Sequence, residues 1–134
     1  MEKIRLCIGS NDGVTVAGTH MGDTEFFHIY DIFEDSKSEF IEKRANSTIG
    51  MDHAAPDKIK AVLKIVHDAE VLVAKKNSPN FVKIAGKTSY QPIVVSAGAM
   101  PEVLEIIHGS FDLIGGLVAR RKNGEIFGDI PELG

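Results

Sequence analysis

The sequence feature that most constrains the fold is a change of hydrophobic period near residue 56. Before that point, apolar residues alternate with polar ones or lie in aromatic and β-branched runs, as strands do. After it, helical spacing alternates with short apolar runs that favour buried strands. A chain of 134 residues with this order is expected to form one α/β domain around a single core.

The first half of the chain predicts three strands. Residues 3–8 show period-two alternation, and we expect this first strand to end near Cys7, before a turn at residues 9–13. Residues 26–33 are aromatic and β-branched, and residues 38–44 alternate apolar and charged side chains after a polar turn. These two segments are predicted to form a β-hairpin.

The second half predicts alternating helices and strands. An amphipathic helix is expected from Pro56, with Lys58 and two further lysines on the side opposite its apolar residues. Glycines at 109, 115 and 116 leave it open whether the last helix continues over 111–118. The remaining elements are a strand over 70–74, a helix that starts at Ser78-Pro79 and closes near Gly86, a strand over 92–95 and a helix over 101–108.

This order predicts a five-stranded mixed sheet whose faces are covered by helices, because a meander comes first and β-α units follow. Residues 1–119 are expected to form the domain. Residues 120–134 are polar, contain glycine and proline and show little periodicity, so we interpret them as a C-terminal tail.

Composition excludes several classes of protein. The net charge of -4 gives no general attraction to nucleic acid. No apolar run approaches the ~20 residues that span a bilayer, and the chain begins without a signal-peptide core, so a cytoplasmic protein is expected. A single cysteine excludes an intrachain disulfide and a metal site made only of cysteines within one chain.

The segment His20-Met21-Gly22 and the following residues 26–32 resemble the His-Phe-Gly loop and next strand of the dinitrogenase iron-molybdenum cofactor biosynthesis family. That family includes NifX, NafY and a domain of NifB, and the resemblance covers roughly residues 3–114. It implies a ribonuclease-H-like, three-layer α/β/α fold that binds an iron-sulfur precursor or the finished iron-molybdenum cofactor. It also implies a cluster donor or acceptor protein as partner. Met21 replaces the usual phenylalanine, and residues 75–80 replace a glycine-rich turn.

Three residues are candidate metal ligands. His20 lies in a loop beside Gly22, where a ligand can approach the backbone, and a neutral imidazole can bind iron. His53 precedes a helix and can face the same crevice. Cys7 is expected at a strand end, where open α/β sheets place ligands. The alternatives are a surface histidine at 20, a capping role near 53, and a small buried hydrophobe at Cys7.

A second candidate site binds anions and consists of Lys75, Lys76, Ser78 and Asn80. Two ammonium groups directly before a helix amino terminus concentrate positive potential. An anionic metallocluster, an oxoanion or phosphate fits this chemistry. The alternative is a solvated lysine pair beside an ordinary Ser-Pro helix start.

Enzyme functions find little support in the sequence. A ribonuclease-H-type nuclease needs clustered carboxylates, one of them usually on the first strand, and residues 3–9 contain no acid. Nucleophile-elbow, phosphate-loop and dinucleotide fingerprints are absent. A non-enzymatic carrier of an iron-sulfur type cluster is therefore the leading interpretation. The alternatives are a regulatory or interaction domain that binds a small anion, phosphate or nucleotide, and a structural subunit whose tail docks on a partner.

Overall fold

The computed structural model describes residues 3–51 and 56–134. These residues form six strands: β1 Lys3–Ser10, β2 Phe26–Phe33, β3 Ser38–Ala45, β4 Val71–Ala74, β5 Gln91–Val95 and β6 Glu132–Leu133. The helices are α1 Pro56–Ile65, α2 Pro79–Lys87, α3 Met100–Gly109 and α4 Phe111–Lys122, with a short 3-10 helix at Met21–Asp23. The predicted hairpin and the predicted alternation of helices and strands are confirmed.

The strands form one mixed sheet in the order β3-β2-β1-β4-β5-β6. β2 is antiparallel to β1 and β3, whereas β4 is parallel to β1, and β5 to β4 and β6. The prediction of five strands was wrong, because Glu132 and Leu133 pair with Val94 and Val95 as a sixth. A two-residue strand is too short to show a period in the sequence.

Helices lie on both faces of the sheet, because successive side chains of β1 point to opposite faces and each contributes to a different core. Leu6 belongs to a core that includes Ile107 of α3 and Ile114 of α4. Its neighbour Cys7 points to the opposite face, into a core shared with α1, through Val62, and with α2. The arrangement is a mixed α/β fold with helices on each side, and the ribonuclease-H-like classification stays a prediction.

Two predicted element ends differ from the structure. β1 continues to Ser10, since Gly9 and Ser10 still pair with Phe27 and Phe26 of β2, so Cys7 is within the strand. Gly86 does not close α2, which runs to Lys87. In the last turn of α2, the carbonyl of Ile84 accepts hydrogen bonds from both the backbone N–H and the hydroxyl of Thr88.

The C-terminal residues pack on the domain through a buried arginine. Helix α4 continues through Lys122, across the predicted boundary between residues 119 and 120. Arg121 is 2% exposed and donates to Gln91 Oε1 (2.7 Å) and to the carbonyls of Ala85, Thr88 and Phe127 (2.8, 2.9 and 3.0 Å). Among the described helices, none is long and apolar enough to span a membrane.

Candidate functional site

Three segments meet on the α1 and α2 side of the sheet: the loop after β1, the first turn of α1 and the start of α2. They enclose a small hollow, and we call five of its lining residues the histidine-loop site: His20, Gly22, Lys58, Ser78 and Asn80. Its volume is about 20 Å³, which is room for roughly one water molecule. Three residues that the sequence assigned to two separate sites, His20, Ser78 and Asn80, therefore line one hollow.

His20 stands at the entrance of the 3-10 helix in an extended backbone conformation. Its side chain is 28% exposed, and its Nδ1 lies 4.0 Å from the Asp23 carboxylate. The next residue, Met21, is buried in the core beside α1 and α2 and anchors the loop. The imidazole is thus fixed at its base and reachable from solvent.

Asn46 holds the histidine loop in place from the end of the hairpin. Its amide Nδ2 donates to the carbonyls of Gly22 (2.9 Å) and Thr24 (2.7 Å). Its Oδ1 accepts from the backbone N–H and the hydroxyl of Thr48. Asn46 is buried and so satisfies both ends of its amide. Sequence reasoning missed it, since an asparagine after a strand resembles an ordinary turn residue.

The prediction that Lys58 lies on the side of α1 away from the apolar residues was wrong. It is 2% exposed, and its ammonium pairs with the Asp23 carboxylate. Its Cε lies 3.6 Å from where a Cβ on Gly22 would stand, so the lysine stem runs beneath the loop. The signal was available: Lys58 is four residues before buried Val62, on the same helix face.

The start of α2 forms the third wall of the hollow. Ser78 is buried, and its side chain accepts from the N–H of Phe81 at 3.1 Å, as the predicted N-cap. Pro79 occupies the first helical turn. The positive end of the α2 dipole therefore faces the same small volume as Lys58 and His20.

The lysine pair lies apart from this hollow. Lys75 and Lys76 are exposed, directly after β4. A Cβ placed on Gly98 would lie 3.5 Å from Lys75 Nζ, so this ammonium stands over the loop after β5. The structure divides the four candidate anion-binding residues into Ser78 and Asn80 at the hollow and Lys75 and Lys76 at the end of β4.

Cys7 and His53 are the other two candidate metal ligands. Cys7 was expected at a strand end, but it is fully buried in the middle of β1. Burial strongly raises the pKa of its thiol, so the thiolate that would bind iron is disfavoured. His53 lies outside the described residues.

Within residues 3–51 and 56–134, no group of three or more histidine, cysteine or acidic side chains is arranged to hold a metal ion. Among these residues, His20 lies at the edge of the hollow and is not part of such a group. Such an arrangement does not fit a resident multi-iron cofactor buried in the protein, which needs several protein ligands. It fits a cluster held at the surface through few protein atoms.

A family model described as dinitrogenase iron-molybdenum cofactor matches residues 2–108. The match contains the histidine loop, the hairpin, α1, α2 and almost all of α3, and it ends before α4 and β6. Every residue of the histidine-loop site lies inside it. No curated protein matches the chain significantly.

Proposed function

The chain belongs to the dinitrogenase iron-molybdenum cofactor family, and from this premise we propose that it is a non-enzymatic carrier of an iron-sulfur type metallocluster. The cluster is cargo that is received from a donor protein and passed to an acceptor. His20 supplies an imidazole ligand from this chain, and His53 is the second candidate ligand. Cys7 is omitted because its thiol is buried.

One observation carries the proposal: a partly exposed imidazole stands beside a buried ammonium. The His20 side chain is 28% exposed, whereas that of Lys58 is 3% exposed. Metalloclusters with sulfide and thiolate ligands carry net negative charge, and a cation with little water around it attracts them more strongly than a solvated one. Asp23 now neutralises Lys58, so an arriving anionic cluster competes with this carboxylate.

The size of the hollow decides where the cargo lies. A volume of about 20 Å³ cannot admit a cluster of several iron and sulfur atoms. The cluster is therefore held on the rim, at the exposed edge of His20. The α2 N-terminus, which lines the same hollow, adds its positive dipole end.

Sparse coordination suits transfer. A stable iron-sulfur cluster is commonly held by four cysteine thiolates, which release it slowly. One or two imidazoles from this chain leave most iron positions to ligands that travel with the cluster or come from a partner. The acceptor can then replace the carrier one bond at a time.

The test is anaerobic reconstitution with ferrous iron and sulfide, followed by visible absorption and measurement of iron bound per chain. His20→Ala is expected to lose most of the bound iron and of the charge-transfer absorption. His67→Ala is the matched control, since His67 is also exposed but lies beyond the far end of α1. Equal iron in all three proteins, or no iron in wild type, would contradict the proposal, and His53→Ala tests the second ligand.

The capped start of α2 favours a second candidate function. A regulatory or interaction domain that binds a small anion, phosphate or nucleotide can use this helix end together with Lys75 and Lys76. Thermal shift against phosphate, sulfate, molybdate and ATP measures it. Stabilisation that Lys75→Ala and Lys76→Ala abolish, without iron uptake, would favour this function over the carrier. An unchanged response in both variants would exclude the lysine pair.

A further inference from the structure

A larger cavity lies on the opposite face of the sheet, away from the histidine loop. It is an open cleft of about 760 Å³ between α3 and the β2–β3 hairpin, closed at one end by the loop at Gly13 and Val14. We call it the α3 cleft, and the lining residues used below are Val14, Tyr30, Ser38, Leu104, Glu105 and His108. This volume falls within the range of small-molecule sites, roughly 300–1,000 Å³.

The cleft exists because α3 does not reach the hairpin edge of the sheet. Val103 and Ile107 are fully buried against the central strands, so α3 is fixed over the core. Tyr30 of β2 packs at the edge of that core and stands edge-on to Phe40 of β3, with ring centroids 5.3 Å apart. Phe40 is 52% exposed. The ring of Tyr30, in contact with Phe40, is therefore left as an aromatic surface beside α3.

The walls of the cleft are mainly apolar. Leu104 faces it from α3, and Val14, which is 64% exposed, closes one end. The opposite rim is the hairpin turn, where Ser36 has a φ of 70°, a left-handed conformation that is uncommon outside glycine. A concave, mainly apolar surface favours an apolar small molecule, and the ring of Tyr30 favours one that is aromatic and can stack on it.

The charge of the cleft is one-sided. Among the described residues that line it, Glu105 carries the only carboxylate, and no lysine or arginine is present. A neighbouring hollow of about 300 Å³ shares His108 and adds the carboxylates of Glu34 and Asp112. The negative potential of these groups repels an anionic cluster and attracts a cation.

We propose that the α3 cleft binds a planar aromatic molecule that carries a positive charge. Its ring lies between Tyr30 and Leu104, and its cationic group lies at Glu105. This site is chemically opposite to the histidine-loop site and does not depend on the carrier function. Binding here places a second small-molecule ligand on the face of the sheet that the metal cargo does not use.

The probe is proflavine, a planar aromatic cation, with 1-anilinonaphthalene-8-sulfonate as the aromatic anion for comparison, each titrated with the full chain and followed by fluorescence anisotropy. Proflavine is expected to bind saturably and the anion at least about tenfold more weakly. Glu105→Lys is expected to weaken proflavine by at least about tenfold. Glu102→Lys, an exposed α3 position outside the cleft lining, is expected to change it by less than about twofold.

Amide chemical-shift mapping locates the probe, and the expected shifts are at Tyr30, Ser38 and Leu104. Val14→Ser, at an exposed position, reduces affinity without disturbing the core. His20→Ala leaves proflavine binding unchanged, which separates this site from the carrier function. Equal affinity for both dyes, an unaffected Glu105→Lys protein, shifts that fall outside the cleft, or no saturable binding would each overturn the proposal.

Discussion

In the part of the chain that the structure describes, two regions bury a cation, and the two cations have opposite kinds of partner. In the histidine-loop site, Lys58 is buried against one carboxylate, that of Asp23, which is itself 36% exposed. Near the C-terminus, Arg121 is buried among neutral oxygens from Gln91 and three backbone carbonyls. Its guanidinium also lies 4.1 Å from the centre of the Phe127 ring.

The difference separates a structural charge from an exchangeable one. Neutral acceptors fixed by α2, β5 and the C-terminal segment receive four hydrogen bonds from Arg121, which ties the guanidinium to that part of the fold. Lys58 has a compact ammonium and a partner at the protein surface, and in the proposed function an anionic cargo on the rim competes with Asp23 for it. The first arrangement holds the fold together, and the second suits the reversible binding of an anionic cargo.

The largest expected effect is at Arg121. Arg121→Met leaves buried carbonyl groups and the Gln91 amide without their donor, and we expect the free energy of unfolding to fall by about 3 kcal/mol. Urea denaturation followed by circular dichroism measures it. Arg120→Met is the control, since Arg120 also lies 4.1 Å from the Phe127 ring but its side chain is 47% exposed. A loss below about 1 kcal/mol is expected there. Equal losses would mean that the ring contact, and not the buried hydrogen bonds, stabilises this region.

The next effect is at the Lys58–Asp23 pair. Asp23→Asn leaves a buried ammonium without its counter-charge, and a loss of about 2 kcal/mol is expected. Lys58→Met removes the charge and keeps the apolar stem, so its loss is expected to stay within about 1 kcal/mol. If Lys58 serves the cargo, Lys58→Met folds normally and still binds less iron. A folded Lys58→Met protein with full iron uptake would remove Lys58 from the site.

The double variant sharpens this result. With Met at position 58, Asp23→Asn no longer strands a charge and is expected to cost much less than in wild type. Additive losses would show that the two side chains stabilise the protein independently, contrary to the ion pair seen in the structure.

In a third region, arginines pair with aspartates, and the stability that these ion pairs contribute depends on pH. Arg5 donates to both oxygens of Asp31 and to Asp68, and Arg44 donates twice to Asp68. Hydrogen bonds from Arg44 hold the pKa of Asp68 well below its usual value, and those from Arg5 lower the pKa of Asp31. Below about pH 4 the unfolded chain takes up protons first, so this stability is present above that pH and lost on acidification.

We expect the free energy of unfolding to fall by on the order of 1 kcal/mol between pH 5 and pH 3 through Asp68, after allowance for its partial exposure. In Asp68→Asn this part of the pH dependence disappears. Asp112→Asn, at an exposed position of α4, is the control. An Asp68→Asn protein that keeps the full acid sensitivity would assign it to other carboxylates.

The elements that follow local rules were predictable from the sequence. The hairpin has a polar turn between two strand patterns, and Ser78-Pro79 is a helix start whose capping bond needs only neighbouring residues. The histidine loop was identified by its motif. Its surroundings were not, because Lys58 and Asp23 are 35 residues apart and no local pattern pairs them.

The errors have two physical causes. Lysine was assumed to be exposed, although Lys58 shares a helix face with buried Val62. Glycine was assumed to end elements, although Gly9 continues β1 and Gly86 continues α2. A Cβ on Gly9 would lie 2.8 Å from the Thr24 side chain, so this glycine serves close packing of the histidine loop on the strand.

The smallest expected effect concerns His28, a buried titratable group. His28 is 5% exposed, and within the described residues its Nε2 has no hydrogen-bond partner. Burial lowers its pKa, as does the charge of Lys43, against the opposing charge of Asp12. The imidazole is therefore neutral in the fold, and as pH falls below about 6.5 the unfolded chain gains the proton first. The stability that the neutral imidazole contributes is present above that pH and is lost as the pH falls.

NMR titration should place the midpoint of His28 below the ordinary value. The free energy of unfolding of His28→Gln should change less than that of wild type between pH 7.5 and pH 5.5. A normal midpoint would show that solvent reaches this ring.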